Sequence, residues 1–159
     1  MNNNMEVSIA GITLKNPVTT ASGTFGSGRE YSEHIDLNCL GGITVKGVSD
    51  EPWKGNPVPR IAETKGGMLN SIGLQNPGVK HFIDNDIPFL RQYDTKIIVN
   101  ICGHTLTQYC SVAERLSNCD VDLLELNISC PNVEEGGLSF GTEPHVVESV
   151  VKAVRHYAK

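Results

Sequence analysis

The chain has 159 residues, and 13 Lys and Arg against 18 Asp and Glu give it a formal net charge of −5 at pH 7. Hydrophobic residues make up 39% of it and charged residues 19%, a balance that can build a core and excludes a disordered chain. The acidic charge argues against nucleic acid as a partner, because phosphates need a basic face. No apolar stretch approaches the roughly 20 residues that cross a bilayer, and residues 1–6 lack the basic and apolar regions of a signal peptide. We therefore expect a cytoplasmic protein with no membrane attachment.

The cysteines and histidines do not follow the spacing of a disulfide framework or a metal site. The five cysteines are odd in number and include no Cys-x-x-Cys pair, so reduced thiols and no metal are expected. Four of them lie in or beside apolar segments and are predicted to be small core residues: Cys39, Cys102, Cys110 and Cys119. The fifth, Cys130, follows a predicted strand.

The first part of the chain predicts a hairpin followed by strands and turns. Val7–Ile9 and Ile12–Leu14 are β-prone and flank Ala10-Gly11, which predicts an N-terminal β-hairpin. The next predicted elements are a strand over residues 18–22, a glycine-rich turn at 23–28, a short helix over about 29–36 and a strand over 43–46.

Residues 48–76 predict a long loop excursion. Pro52, Pro57 and Pro59 exclude a regular helix there, although short strands are predicted at 60–64 and 68–70. Loops of this length in a compact domain are usually functional or disordered.

The remainder of the chain alternates between helical and strand patterns. In order, it predicts a helical region over 78–93 interrupted near Pro88, a strand over 96–101, a helix over 105–116 with Thr105 as its N-cap, a strand over 122–128, a loop of about fourteen residues and a helix over 143–157. This alternation is typical of βα units in a parallel sheet. Four main units are predicted, about half of a TIM (βα)8 barrel of about 250 residues. A small doubly wound sheet fits the length better, but the Gly-x-Gly-x-x-Gly fingerprint is missing.

Polar residues follow several of the apolar strands. Lys46 is either a lysine that extends from a strand end to water or a cation that faces an anionic substrate or flavin. Asn100 and Asn127 are individually explained as turn-capping amides, but together, at equivalent strand ends, they favour a ligand.

Two further segments have both a functional and a structural interpretation. Cys130 is either a proton acceptor or nucleophile on a loop, or an inert half-buried thiol. Residues 68–78 carry polar and glycine residues, and are either a binding segment in which Asn70 reaches a small planar ligand or a surface loop.

Five motifs, taken in order and spacing, identify a family. They are Ala-Ser-Gly at 21–23, Val-Lys-Gly at 45–47, Gly-Asn-Pro-x-Pro-Arg at 55–60, Asn-Ser-Ile-Gly-Leu-Gln-Asn-Pro-Gly at 70–78 and Glu-Leu-Asn-Ile-Ser-Cys-Pro-Asn at 125–132. From about residue 7 to its end, the chain resembles class 1 dihydroorotate dehydrogenase. It is most similar to the catalytic subunit of the NAD-linked subclass.

The resemblance implies the fold, the activity and the partners. The family is an FMN-containing TIM (βα)8 barrel that oxidises dihydroorotate to orotate in pyrimidine biosynthesis. Residues 1–159 would form its N-terminal half, with about four βα units and the N-terminal hairpin. The implied partners are an electron-transfer subunit with FAD and an iron–sulfur cluster, in a homo-oligomer or heterotetramer of the full-length protein.

The resemblance also implies the roles of individual residues. Cys130 would be the general base that removes the C5 proton while the C6 hydride passes to flavin N5, under a loop that excludes water. FMN would contact Ser22, Lys46, Gly47, Asn100 and Asn127. The substrate would contact Lys46, Asn70, Ser71, Ile72, Gly73, Leu74, Asn127 and Asn132.

Two alternatives stay open at the sequence level. One is a non-catalytic half-barrel that pairs with itself or with a separate C-terminal half. The other is a relative of dihydropyrimidine dehydrogenase with the same cysteine loop.

Overall fold

The computed structural model describes residues 5–129 and 140–158. It begins with an antiparallel hairpin of β1 (Val7–Ile9) and β2 (Ile12–Leu14). The connecting residues Ala10 and Gly11 have φ of 51° and 83°, the left-handed values of a two-residue hairpin turn. This confirms the predicted hairpin, and its last residue, Leu14, is fully buried.

The predicted strand over 18–22 is wrong in extent, because the structure has only a parallel bridge between Thr19 and Gly42 there. Instead of continuing the ladder, the Thr20 hydroxyl accepts a hydrogen bond from the Thr44 N–H at 2.9 Å and donates to the Thr44 carbonyl at 3.1 Å. This side chain thus occupies the main-chain groups that a longer strand would use.

The helix predicted over about 29–36 is also wrong. Within this range the structure has only a short 3₁₀ turn, Tyr31–Glu33. A second 3₁₀ turn, Leu37–Cys39, begins just beyond the predicted helix, where Asp36 caps it by accepting from the Asn38 N–H at 2.9 Å.

The middle of the chain contains one buried strand and an exposed hairpin. β3 (Gly42–Thr44) is buried throughout. The excursion that follows carries the antiparallel strands β4 (Ile61–Thr64) and β5 (Gly67–Asn70), which are exposed and lie close to their predicted positions.

The predicted helical region after the excursion consists of α1 (Gly78–His81), a π-helical stretch (Phe82–Asp86) and α2 (Ile87–Leu90). The interruption comes before Pro88 rather than at it, because Pro88 lies in the first turn of α2, where no N–H is needed.

The last elements follow the predicted alternation. They are β6 (Lys96–Ile101), α3 (Leu106–Leu116), β7 (Leu123–Leu126) and α4 (Pro144–Tyr157). Thr105 caps α3 as predicted, because its hydroxyl accepts from the Gln108 N–H at 3.3 Å. β7 is shorter than predicted.

The three buried strands form a parallel sheet in the order β3–β6–β7. Alternate residues of β6, namely Ile97, Val99 and Ile101, pack with the helices in the hydrophobic core. Because side chains alternate across a strand, Ile98 and Asn100 lie on the opposite face. At its amino end this face is covered by the hairpin, since a Cβ added to Gly42 would lie 3.1 Å from Ile98 and 3.6 Å from Leu14.

The cysteine prediction is confirmed except at one position. Cys102 is buried, and Cys110 and Cys119 pack against the core. Cys39 is exposed, because it lies in the second 3₁₀ turn at the surface.

Candidate active site

A pair of asparagine amides lies at the carboxyl edge of the parallel sheet. Asn100, in β6, is only 3% exposed. Its Nδ2 donates to Glu125 Oε1 at 2.5 Å, and its Oδ1 accepts from Asn127 Nδ2 at 3.3 Å. Both ends of the buried amide are therefore satisfied, as burial of a polar group requires. The sequence predicted that Asn100 and Asn127 share one site, and the structure brings them into contact.

Asn127 is held from several sides. Its N–H donates to the Ile101 carbonyl at 2.9 Å, and its own carbonyl accepts from the Tyr109 hydroxyl on α3. Its Oδ1 accepts from the hydroxyl of Ser129 at 2.9 Å and from the N–H of Ser129 at 3.4 Å. The amide pair is thus fixed by the sheet, by a helix and by the segment that follows β7.

Gly47 packs directly against the amide pair. A Cβ at this buried position would lie 3.2 Å from both Asn100 Oδ1 and Cys102 Sγ. The neighbouring Val48 N–H donates to the Asn100 carbonyl at 2.8 Å. The absence of a side chain at Gly47 therefore leaves the Asn100 amide room that a larger residue would fill.

Lys46 lies beside this edge, two residues beyond the end of β3. Its N–H donates to the Gly26 carbonyl at 3.0 Å, which ties the glycine-rich turn to the sheet. The side chain is partly buried. Within residues 5–129 and 140–158, no hydrogen bond or ion pair engages its ammonium group, which leaves it available to an anionic ligand.

A cavity of about 270 Å³ adjoins Lys46 and Gly47. It lies between the glycine-rich turn and the helical segment that starts at Gly78, and Arg29 and Asp86 contribute charges to its wall. Neither Asn100 nor Asn127 lines it. The cavity is therefore adjacent to the amide pair rather than part of it.

The predicted substrate segment, residues 70–74, is organised by the excursion itself. Asn56 donates from its side chain to the Ser71 carbonyl at 3.0 Å and from its N–H to the Ile72 carbonyl at 3.1 Å. Gly73 has φ of 73°, and a Cβ there would lie 2.7 Å from Asn56. The segment's described hydrogen bonds remain inside the excursion and do not reach the amide pair.

Asn76, which the sequence did not single out, anchors the excursion to the sheet. It is 6% exposed, and its Oδ1 accepts from Ser49 Oγ at 2.8 Å, from the Ser49 N–H at 3.2 Å and from the Gly78 N–H at 2.9 Å. Its backbone N–H and carbonyl both pair with Trp53. The side chain of Asn76, at the end of the excursion, thus connects this end to Ser49, at its beginning.

Trp53 makes a second link between the excursion and the sheet edge. Its ring stacks on His104, in the loop between β6 and α3, with centroids 4.1 Å apart and planes inclined by 18°. The loop that follows β6 is therefore in contact with the excursion.

The remaining predicted site residues differ in how they are placed. Ser22 lies in an exposed turn three residues beyond the Thr19 bridge, at the carboxyl end of that chain segment. Cys130 and Asn132 lie outside the described residues.

The clearest charge effect lies at the opposite, amino end of β7. Burial opposes ionisation of Asp122, but a hydrogen bond from the Ile97 N–H and the cations of Lys96 and Arg91 together hold the pKa of this carboxyl below its ordinary value. Burial raises the pKa of the Cys110 and Cys119 thiols.

No three His, Cys, Asp or Glu side chains in residues 5–129 and 140–158 lie together as metal ligands would. In the same ranges, no helix combines the length and apolar character needed to traverse a bilayer.

Glu125 was also missed from the sequence. A single carboxylate between Leu124 and Leu126 indicates that Glu125 lies on the opposite face of the strand from these leucines, where it is exposed. Its partner depends on the Asn100–Glu125 register, which only the folded sheet defines.

Comparisons of the sequence and of the structure with known proteins both match dihydroorotate dehydrogenases. Residues 4–159 match the family model described as dihydroorotate dehydrogenase. The catalytic subunit of dihydroorotate dehydrogenase B (NAD(+)) from Alkaliphilus metalliredigens is 70% identical over 156 residues, which cover 98% of this chain and 52% of that protein. The protein of the same name from Geobacter sulfurreducens is 57% identical over 152 residues, which cover 95% of this chain and 50% of that protein.

A solved structure of the Eimeria tenella DHODH in complex with ferulenol has a TM-score of 0.67 at 22% identity, covering 98% of this chain and 44% of that one. This likeness and the parallel sheet fit the predicted α/β fold of TIM-barrel type. The chain spans about half the length of the curated relatives it matches. The match over residues 4–159 confirms the resemblance, and the chain belongs to the dihydroorotate dehydrogenase family.

Proposed function

We propose that residues 1–159 form the N-terminal half of a dihydroorotate dehydrogenase catalytic subunit, with the N-terminal hairpin and about four βα units of a TIM (βα)8 barrel. The complete protein oxidises dihydroorotate to orotate in pyrimidine biosynthesis. The observation that carries this proposal is the amide pair of the buried Asn100 and the partly buried Asn127 against Gly47. It lies at the carboxyl edge of the sheet, the edge at which TIM-barrel enzymes build their sites.

The residues at this edge fit FMN as a cofactor. Ser22, Lys46, Gly47, Asn100 and Asn127 would hold it. Gly47 leaves room beside Asn100, and each side-chain NH₂ group has two hydrogens, of which its described bond uses one. When bound, FMN accepts the hydride that leaves C6 of dihydroorotate.

The chain's own residues bind the substrate and accept the proton. Lys46 supplies a cation for the substrate carboxylate, and residues Asn70 to Leu74, Asn127 and Asn132 hold the ring. The Cys130 thiolate takes the C5 proton as the hydride leaves C6, so the substrate loses one proton and one hydride, and a C5–C6 double bond forms.

The partner of this subunit is proposed from the names of its relatives. The relatives of this chain are called catalytic subunits of dihydroorotate dehydrogenase B (NAD(+)), which supports the presence of a second subunit. We propose that this subunit transfers electrons and carries FAD and an iron–sulfur cluster. A homo-oligomer or heterotetramer of the full-length protein would result, with NAD as the acceptor.

The shared half-length match suggests a direct test by complementation. The chain is co-expressed with the C-terminal half of the Alkaliphilus metalliredigens relative, and the intact relative is the control. We expect the purified complex to retain FMN, and its flavin absorbance to bleach when dihydroorotate is added without oxygen.

Other outcomes of this test favour the alternatives. A complex that retains no FMN, or whose flavin does not bleach, contradicts the proposal and supports a non-catalytic half-barrel. Bleaching by dihydrouracil but not by dihydroorotate supports a relative of dihydropyrimidine dehydrogenase.

A further inference from the structure

The hydrogen bonds at the amide pair all run in one direction. The Ser129 hydroxyl donates to Asn127 Oδ1 at 2.9 Å, Asn127 Nδ2 donates to Asn100 Oδ1 at 3.3 Å, and Asn100 Nδ2 donates to Glu125 Oε1 at 2.5 Å. The series therefore ends on a carboxylate.

The direction of this series of hydrogen bonds is determined only if the group at one end cannot exchange the roles of donor and acceptor. An asparagine amide has nearly the same shape after a half-turn, which exchanges its donor and its acceptor. Two adjacent amides are satisfied equally well in either direction. An ionised carboxylate only accepts, so Nδ2 of Asn100 must face Glu125, and Oδ1 is left to face Asn127. The Ser129 N–H, at 3.4 Å from Asn127 Oδ1, agrees with this direction but is a longer contact.

The position of Glu125 on the sheet suits it to determine the directions of these two amides, rather than only to stabilise the sheet. It is in register with Asn100 on the neighbouring parallel strand, so both side chains lie on the same face of the sheet. Its neighbours Leu124 and Leu126 pack against the core on the other face. None of the ion pairs in the described residues involves Glu125, and its described side-chain partner is Asn100.

We propose that Glu125 is a positioning residue that fixes the amide directions of Asn100 and Asn127, so that both present N–H groups to the carbonyl oxygens of a planar ligand. This rests on the proposed function, in which FMN and dihydroorotate supply such carbonyls. Amides turned the other way would set carbonyl against carbonyl and weaken binding.

The first test measures the amide directions without turnover. Side-chain amide NMR spectra are recorded on the complex of this chain with the C-terminal half described above, before FMN is added. In the wild type we expect one set of signals for Asn100 and Asn127, with one Asn100 Nδ2 proton shifted downfield by its charge-assisted bond. Glu125→Leu should remove that shift, while Glu125→Gln should retain a smaller shift.

The second test measures ligand affinity. The dissociation constant of FMN should rise about 10-fold or more in Glu125→Leu, and by a smaller factor in Glu125→Gln, whose amide can accept from Asn100 but can also turn over and donate. Glu148→Leu, on the exposed surface of α4, removes a carboxylate far from the sheet edge and should change neither measurement.

The outcomes separate this inference from the proposed function. An unchanged Asn100 spectrum and unchanged FMN affinity in Glu125→Leu would overturn it. If that variant does not fold, an Asn100 shift in Glu125→Gln equal to that of the wild type overturns it, and a reduced shift supports it. A wild-type complex whose flavin fails to bleach contradicts the proposed function, whereas the amide directions are read independently of the reaction.

Discussion

Gly47 and Asn100 are packed closely together at the carboxyl edge of the sheet. Gly47 lies so close to Asn100 that one added carbon would meet its Oδ1 at 3.2 Å, nearer than most carbon contacts in proteins. The amide cannot move away without loss of its bonds to Glu125 and Asn127. A single added carbon atom at Gly47 would therefore fill the space beside the amide pair.

Gly47→Ala should weaken FMN binding by the reconstituted enzyme about 10-fold and lower stability by about 1–3 kcal/mol, because the added methyl group displaces Asn100. Fluorescence titration with FMN and thermal unfolding measure the two effects. Gly66→Ala is the matched control, since a Cβ there meets nothing within 4 Å. An unchanged FMN affinity in Gly47→Ala would contradict the packing argument.

Cys130→Ser, in the enzyme completed by a C-terminal half, should slow flavin reduction by dihydroorotate at neutral pH by about 100-fold or more, since a hydroxyl is a poorer base than a thiolate. Stopped-flow absorbance measures this rate. Cys39→Ser changes an exposed thiol and should leave the rate unaltered. A normal rate in Cys130→Ser would remove this residue from the role of base.

At the scale of elements, the sequence predicted best where local chemistry decides the structure. The apolar run of β6 and the Thr105 cap of α3 were located correctly because both signals lie within a few residues. The strand over 18–22 failed because the Thr20 hydroxyl takes up the main-chain groups of Thr44. The partners of Asn76 and Glu125 depend on register and loop closure, which residue patterns do not contain.

The excursion depends on one buried amide. Asn76→Ala should destabilise the fold by about 2–4 kcal/mol, because the N–H groups of Ser49 and Gly78 lose their acceptor. Asn76→Asp loses the Nδ2 donor that bonds the Leu74 carbonyl at 2.9 Å but retains the acceptor oxygen, and it should cost less than Asn76→Ala. Urea unfolding of both variants provides the comparison, and equal losses would contradict the assigned role of Oδ1.

Asp122, at the amino end of β7, makes the stability of the fold depend on pH. The pKa of Asp122 is lowered in the folded state, so its contribution is present above its unfolded pKa and is lost as the pH falls through the folded value. Below the ordinary value of 3.8, wild-type stability should therefore approach that of Asp122→Asn, while above it the wild type is more stable.

Free energies of unfolding at a series of pH values test this convergence. Asp94→Asn serves as the control, because it removes the charge of a carboxylate that is 92% exposed and forms a surface ion pair with Lys15. A constant difference between the wild type and Asp122→Asn down to the lowest pH would contradict the prediction.

At the scale of the whole molecule, the two faces of the sheet differ: helices pack on one, and polar side chains lie on the other. The helices pack on Ile97, Val99 and Ile101, whereas the other face carries Asn100, which is 3% exposed, and Glu125, which is exposed. The hairpin covers the amino end of this face. In a TIM-type barrel such a face is closed by the remaining strands.

The 159-residue chain expressed alone should therefore self-associate, because β7 is the outermost strand of the described sheet and an open strand edge promotes pairing. Light scattering during size-exclusion chromatography should give a mass above 17.2 kDa. Addition of the C-terminal half should convert it to a complex with one copy of each half. A monomer at all concentrations would indicate that the face is stable without a partner.

The stacking of Trp53 on His104 has a practical consequence. The chain contains one tryptophan, and that residue bridges the excursion and the loop after β6. Its fluorescence is therefore an intrinsic reporter of the contact between the excursion and the sheet edge. A change of emission on ligand binding, measured without any attached dye, would report on that contact.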